Sequence, residues 1–533
     1  MSEAIIRTED IDPKEINNYF VETEKDREIV NLLKGKQPLL VVGSRGTGKT
    51  MLLRMAEQEL LSAYDDEKVL PVFVNLVTCN IHDNKNILKV LISRTLRSLQ
   101  QALKSQGIIL TGSIFKPITT VKTNPIVAKL EKYINDSIVT EDELEGIAID
   151  NEKIKEDLDQ LINFLSELCC EFDIKRINFL FDEACQVFQP THQRVFFEFF
   201  RALRNHQITC KAAVYPGIVT YGSFQKFHDA TEIRIQRSIV DNDYISKMRQ
   251  VIRKHYPNDY KTFEKNGDLL DSIIYASSGN PRFLLKSINE IIIGQGKFNS
   301  SNVNNKIKEF YGTTIWSEHT KLGDMYSGHI AMLDWSRNFI EDTVLSDIEI
   351  INQNPNTKNT VYFCVSRNAP SVIRQSIKTL EYSGIVSLHT EGTKYRNEMY
   401  DRYEINLGVV VLHEKQVNVK QRIKEIVEGI SIKIFPDYGK NSSSYGNYSN
   451  LTDISQFESN SSEVISQISK QDISSLDISS SIQKRLKDSG LNTIGQVLDK
   501  SEEELRKIPY IGFVRSRKIN NLVYNAILEY ISG

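Results

Sequence analysis

Residues 38–50, PLLVVGSRGTGKT, decide the fold. The apolar run PLLVV ends at a glycine-rich loop, and MLLRMAEQEL at 51–60 continues with helical spacing, so the segment reads strand, loop, helix. GSRGTGKT fits G-x-x-x-x-G-K-[ST], which ordinary residue usage would give by chance in about one sequence in a hundred of this length. Gly43, Gly46 and Gly48 allow a tight wrap, and the backbone N–H groups from Gly43 through Ser44, Arg45, Thr47, Lys49 and Thr50 face the helix start, where phosphates are held. In such a loop Lys49 reaches the β- and γ-phosphates of ATP and Thr50 ligates magnesium.

Outward from this loop, strand-like runs recur at 69–76 (VLPVFVNL), 177–181 (INFLF), 210–215 (CKAAVY) and 232–235 (EIRI). Helical patterns separate them, NILKVLISRTLRSLQQAL at 86–103 and DLDQLINFLSELCCEF at 157–172. The alternation predicts an α/β fold with a mostly parallel sheet covered on both faces. The spacing between the second and third strands exceeds one crossover, so an insertion is expected near 107–150, with no role legible in it. Asp182 and Glu183 end the INFLF strand, where a hydrophobic strand can fix one carboxylate beside magnesium while the second orients or deprotonates a water. SGNPRFLLK at 278–286 gives a turn, a helix-starting proline and Arg282, which can reach back to a γ-phosphate.

GSRGTGKT, INFLFDE and the GNPR turn together resemble the AAA+ ATPases, within them the replication-initiator branch related to the origin recognition complex, over roughly residues 17–310. The resemblance implies a P-loop NTPase sheet with a helical lid, a Walker B pair at Asp182 and Glu183, and Arg282 as sensor 2. At the end of CKAAVY, where that family often has a polar sensor, this protein has Tyr215, Pro216 and Gly217. Before EIRI, where an arginine finger is expected, there is SFQKFHDAT, and Arg201, Arg204 and Arg237 are the nearby candidates.

After 236 the pattern is helical to about 310, and a shorter-period region runs from 316 to 420. PSVIRQSIKTLEYSGIVSL at 370–388 predicts a helix stopped by Gly384 and then a strand; a polar loop leads to a second strand, RYEINLGVVVL. Helix plus two-stranded wing resembles the winged helix of those initiators, which implies DNA contact through Arg374, Lys378, Lys394 and Arg396. Winged helices also dock proteins.

The stretch LDISSSIQKRLKDSGLNTIGQVLDKSEEELRKIPYIGFVRSRKINNLV resembles the C-terminal domain of the bacterial RNA polymerase α subunit, a small all-α helix-hairpin-helix domain. In its second hairpin, Gly512 would let the backbone approach a phosphate, with Arg515, Arg517 and Lys518 beside it. From Leu505 to Asn520 there are five basic residues and no acidic one. The expected domains are the ATPase core 1–235, lid 236–315, winged helix 316–420, helix and Ser/Asn-rich linker 421–465 (flexible over 437–462), and hairpin domain 466–533.

Composition bounds the function less tightly. Length of 533 residues argues for several domains, and a net charge of −3 confines any nucleic-acid surface to a local patch. The six cysteines lack CxxC or histidine spacing and read as buried thiols of a reducing compartment. No signal peptide and no apolar run of about 18 residues is legible, which predicts a cytoplasmic protein without membrane contact. The expected function is an ATP- and Mg2+-dependent switch that engages DNA. The rivals are a signalling NTPase, antiphage or stress-sensing, whose C-terminal modules bind a protein partner, and a DNA-bound regulator that binds ATP with little turnover. Oligomerisation is left open.

Overall fold

The computed structural model describes residues 8–76, 87–108, 125–136, 151–184, 190–293, 298–325, 330–395, 397–414, 418–446 and 470–512, apart from 218, 220, 227, 471, 477 and 479, together with 448, 451, 515, 516, 519 and 523. Cys79, Cys185, Arg396, Arg517 and Lys518, most of the 107–150 insertion and residues 452–462 of the expected linker lie outside the described residues.

The apolar runs form a five-stranded parallel sheet of β1 (Leu39–Val42), β2 (Val69–Asn75), β3 (Arg176–Asp182), β4 (Ile208–Val214) and β5 (Thr231–Arg234), ordered β2-β3-β4-β1-β5. Its helices are α1 (Ile16–Tyr19), α2 (Glu24–Lys34), α3 (Lys49–Ser62), α4 (Tyr64–Glu67), α5 (Ile87–Ser105), α6 (Pro125–Asp136), α7 (Asn151–Glu171) and α8 (Pro190–Ala202). β1, β3 and β4 are buried along their whole length, as central parallel strands covered on both faces must be. One core packs Leu96, Phe164, Phe196 and Phe200 against Phe179 and Phe181, and the other packs Ile29, Val30, Leu52 and Leu53 against Val41 and Leu180. The mixed α/β fold expected from the sequence is the one observed.

Polar side chains inside the sheet finish α2. Arg176 donates to the Lys34 carbonyl (2.8 Å), Asn178 to Leu33 (3.0 Å), and the buried Lys211 to Leu32 (3.3 Å) and Gln37. The last carbonyls of a helix have no intrahelical partner, so these strand residues satisfy groups that burial would otherwise orphan. The opposite end of α2 is closed by a capping box between Thr23 and Asp26.

The lid comprises α9 (Tyr244–His255), α10 (Tyr260–Glu264), α11 (Gly267–Ala276) and α12 (Pro281–Ile293). Beyond it, α13 (Ser300–Glu309) runs through a π-helical turn at 310–314 into α14 (Ile315–Met325), and α15 (Ile330–Asn338) through a second at 339–344 into α16 (Leu345–Gln353). The shorter period read from residue 316 is therefore corrected to helix as far as 353; each π-turn shifts the apolar phase by a residue and hides a 3.6 pattern.

A second sheet follows, ordered β7-β8-β6-β9, from β6 (Tyr362–Ser366), β7 (Val386–Tyr395), β8 (Glu398–Ile405) and β9 (Asp437–Tyr438). α17 (Ser371–Ser383) lies between β6 and β7, and β7 and β8 form an antiparallel hairpin over the residues read as a wing. The run expected as one strand, RYEINLGVVVL, stops at Ile405. Asn406 caps Gly408 N–H, and Leu407–His413 form α18, followed by α19 (Val419–Gly429). A fully buried apolar run does not distinguish strand from helix by period; the Asx cap decides here.

Residues 437–446 are not free linker. β9 pairs with β6, and Tyr438 and Tyr445 are buried beside Phe339. A single hydrophobic core runs from Met248 and Ile252 of the lid through Phe283, Tyr311 and Phe339 to Ile373, Val410 and Tyr438, so lid and wing-bearing region fold around one interior. The tail helices α20 (Ser480–Asp488), α21 (Ile494–Leu498) and α22 (Glu502–Arg506) have their own core, around Leu486, Val497, Leu505 and Ile511. Cys169, Cys210 and Cys364 are buried thiols as expected, whereas Cys170 is exposed on the outer face of α7.

Candidate functional site

The P-loop joins β1 to α3. Gly46 and Gly48 take φ of +88° and +94°, which a larger residue would resist, and a Cβ on Gly46 would lie 2.5 Å from Cβ of Arg282. Gly48 is the left-handed residue from which α3 starts, so successive N–H groups converge on the loop. Lys49 is buried; its Nζ donates to the carbonyls of Gly43 (2.8 Å) and Ser44 (3.0 Å) and sits 3.8 Å above the Tyr215 ring. Burial draws the ammonium below the ordinary lysine range, and the carboxylates of Glu183 and Asp182 oppose that shift.

The acidic pair lies alongside. Asp182, 2% exposed, accepts from the Thr50 hydroxyl and from Glu183 N–H, and burial raises its carboxyl above the usual range. The oxygens of the buried Asp182 and the half-buried Thr50, next to a phosphate loop, are a donor set that suits a hard cation such as magnesium. Among the described residues no cluster of three or more His, Cys, Asp or Glu is built to hold a metal by itself. Glu183 occupies φ +55°, and both of its carboxylate oxygens lie within reach of the Tyr215 hydroxyl, at 2.9 and 2.7 Å. Tyr215 is buried, and burial together with Glu183 raises its phenol pKa, so it stays a proton donor.

The lid closes the third side. Asn280 donates to the Arg45 carbonyl (2.9 Å) and accepts from Arg282 N–H and Phe283 N–H, capping α12 against the loop. Arg237, after β5, donates to the Thr47 carbonyl (2.8 Å) and pairs with Asp26 (2.9 Å). Lys49, Thr50, Glu183 and Arg282 line one cavity with Gly46 and Gly48. The same cavity is also lined by Ile11, Tyr19, Phe20, Met51, Val251, His255 and Leu285, apolar and aromatic surface suited to a flat base.

Of the sequence-derived site residues, Gly46, Gly48, Lys49, Thr50, Glu183 and Arg282 thus line one cleft, with Asp182 against Thr50. Three contributors had escaped the sequence reading in their actual roles. Tyr215 is the partner of Glu183, Arg237 is an internal clamp rather than a free finger, and Asn280 is the lid's contact with the loop. Tyr215 could have been found from its position, one residue past a strand that neighbours β3. Arg204, the other nearby candidate finger with described contacts, donates to the Asp229 carbonyl.

The candidate DNA residues are dispersed. Arg374 is half-buried and donates to the Ala369 carbonyl, Lys378 is exposed on α17, and Lys394 is exposed on the wing. Much of α17 is buried, including Ile373, Ile377, Leu380 and Tyr382, and a Cβ on Gly217 would lie 2.3 Å from the Lys378 carbonyl. This helix is wedged against the ATPase core. In the tail, Gly512 has open space around its α-carbon, Arg515 donates to the Tyr510 carbonyl (2.7 Å), and Tyr510 stands 74% exposed at φ +67° with the Arg485 guanidinium 4.2 Å from its ring.

A strand–P-loop–helix unit, an acidic pair ending β3, which is separated from the P-loop strand by β4, and a helical lid contacting the loop define a P-loop NTPase fold of the AAA+ type. The ORC-CDC6-like family model matches residues 4–85, and the model of the C-terminal domain of the bacterial RNA polymerase α subunit matches 459–521. Two solved structures from Aeropyrum pernix are similar to this protein. One is the ORC1 protein in complex with DNA, at 13% identity and TM-score 0.34, covering 78% of this sequence and 94% of that one. The other is the ORC2 protein in ADPNP–ADP complexes, at 11% identity and TM-score 0.36, covering 78% and 98%. No curated protein matches the sequence significantly. Among the described residues no helix is long and apolar enough to cross a membrane.

Proposed function

We propose that this protein is an ATP-binding, ATP-hydrolysing switch whose C-terminal modules engage DNA in the cytoplasm. The observation that carries the reading is the single cleft where Lys49, Thr50, Glu183 and Arg282 meet the glycine loop. Lys49 and the loop N–H groups hold the phosphates. Thr50 and Asp182 would hold magnesium, which screens phosphate charge when bound. Glu183, held by Tyr215, orients or deprotonates the attacking water, and Arg282 links the γ-phosphate to the lid. Because lid and wing-bearing region share one core, whatever moves α12 also moves the wing.

DNA engagement rests on the tail, where Gly512 and the neighbouring basic residues match the resemblance to the polymerase α domain. The wing supplies Lys394 as a further contact, with Arg374 and Lys378 at its margin. The deciding experiment is steady-state ATP turnover with and without duplex and single-stranded DNA. Stimulation by either DNA supports the reading. Stimulation only by a captured protein favours the signalling NTPase, and tight ATP binding without turnover favours the static regulator.

A further inference from the structure

The last turn of α17 packs behind the ATP cleft, against Tyr215 of its lining and the backbone of the P-loop. The Tyr382 ring meets the Tyr215 ring edge-on, with centroids 4.9 Å apart, and the Tyr382 carbonyl accepts from the P-loop N–H of Arg45 (3.2 Å). Tyr215, Tyr382, Leu322 and Leu333 form a small apolar cluster of their own, separate from the main cores. Gly384, which ends the helix at φ +76°, packs closely on the lid, since a Cβ there would lie 3.2 Å from the Phe283 ring. One helix end therefore touches the P-loop, the end of β4 and the lid.

We propose that Tyr382 is a positioning residue for ATP hydrolysis. It fixes the Tyr215 ring, and the Tyr215 hydroxyl fixes the Glu183 carboxylate, so that the wing-bearing region completes the hydrolytic site of a core some 170 residues upstream in the sequence. One phenol proton occupies one of about four lone-pair positions on the carboxylate, which leaves others to accept from water. The contact therefore orients Glu183 without blocking it. Edge-to-face aromatic pairs have a narrow geometry, and an aliphatic replacement lets the Tyr215 ring tilt; a shift of about 1 Å in a group that orients a catalytic residue can cost about a hundredfold. The relay also gives a ligand of the wing or tail a route to turnover, because moving α17 withdraws Tyr382.

The proposal rests on the hydrolysis reading above, and the test separates the two. The full-length protein is compared with Tyr382→Leu and Tyr382→Phe, each alone and with Glu183→Gln, by ATP binding, kcat and single-turnover rate. Tyr382→Leu is expected to lower kcat by about ten- to a hundredfold while ATP affinity stays within about twofold, and Tyr382→Phe, which keeps the ring, to stay near wild type. In the Glu183→Gln background Tyr382→Leu is expected to add less than about twofold, because the group it acts through is gone. An unchanged or faster kcat overturns the proposal, as does an equal fold-loss with or without Glu183, or a loss in Tyr382→Phe matching that of Leu. If Tyr382→Leu does not melt cooperatively, Tyr382→Met carries the same test, since it fills more of the ring's space while removing the edge-on contact with Tyr215. A wild-type protein that binds ATP without turnover sinks the hydrolysis reading and this proposal with it; a wild-type protein that turns over while Tyr382→Leu matches it sinks this proposal alone.

Discussion

Arg237 and Asp26 pair at 2.9 Å, with side chains 12% and 2% exposed, and the same guanidinium donates to the Thr47 carbonyl of the P-loop. Asp26 also closes the capping box of α2. The pair therefore ties the phosphate loop to a helix N-terminus within one molecule. Arg237→Gln leaves Asp26 buried without its cation, a loss of about 3–5 kcal/mol for pairs of this kind. The expected outcome is a lower melting temperature and weaker ATP binding. Mixing this variant with Glu183→Gln protein should restore no turnover; restoration would mean that Arg237 reaches a neighbouring subunit's site.

Lys211 supplies a pH dependence. It is fully buried in β4, and burial pushes its pKa down to about 7. The unfolded state keeps this lysine protonated to about pH 10.4, so between about 7 and 10.4 the unfolded state binds the extra proton. Stability from this group therefore rises with pH across that window, by up to about 1.4 kcal/mol per pH unit, and its full cost is felt below pH 7. Thermal melts at pH 7 and 9 should show a smaller upward shift for Lys211→Met than for wild type. Equal shifts in both would mean that Lys211 titrates normally.

Much of the site was legible because its parts are local. GSRGTGKT, the acidic pair after INFLF and the GNPR turn each carry their own signature, and alternation of apolar runs with helices gave the parallel sheet. What escaped is set by contacts between distant segments. Tyr215 points to a carboxylate partner only once β4 is known to lie beside β3, and nothing near Tyr382 announces a nucleotide cleft. The π-turns at 310–314 and 339–344 broke the helical period, and the valines of α18 fit strand and helix alike until Asn406 capped them. Tyr438 and Tyr445 sit in a Ser/Asn-rich stretch whose composition reads as linker, yet two buried tyrosines suffice to fasten it.

Lys49 and Glu183 separate binding from chemistry. Lys49→Ala removes the buried ammonium of the loop and should abolish ATP binding measured by calorimetry. Glu183→Gln keeps Asp182 and Thr50 in contact and should retain ATP binding while slowing turnover by about 10²–10⁴. Unchanged affinity in the first variant would remove the P-loop assignment; unchanged turnover in the second would move the base elsewhere.

On the proposed function, the tail decides what the protein engages. Its helices pack around their own core, and the described surface near the second hairpin brings together an open Gly512, the exposed Tyr510 and the guanidiniums of Arg485 and Arg515. An exposed tyrosine with an arginine stacked on it presents an apolar face beside cations, which suits a sugar–phosphate backbone better than a base edge. Neutralising Arg515, Arg517 and Lys518 together should then weaken duplex binding about equally for unrelated sequences. The slope of log affinity against log salt should fall by about two to three units, one per lost phosphate contact. A protein-binding tail predicts the opposite pattern, with DNA affinity intact after deletion of 466–533 and a partner lost instead. Titration of the full-length and tail-deleted proteins with duplex DNA at two salt concentrations distinguishes them: equal binding by both at low salt would end the assignment of DNA to this module.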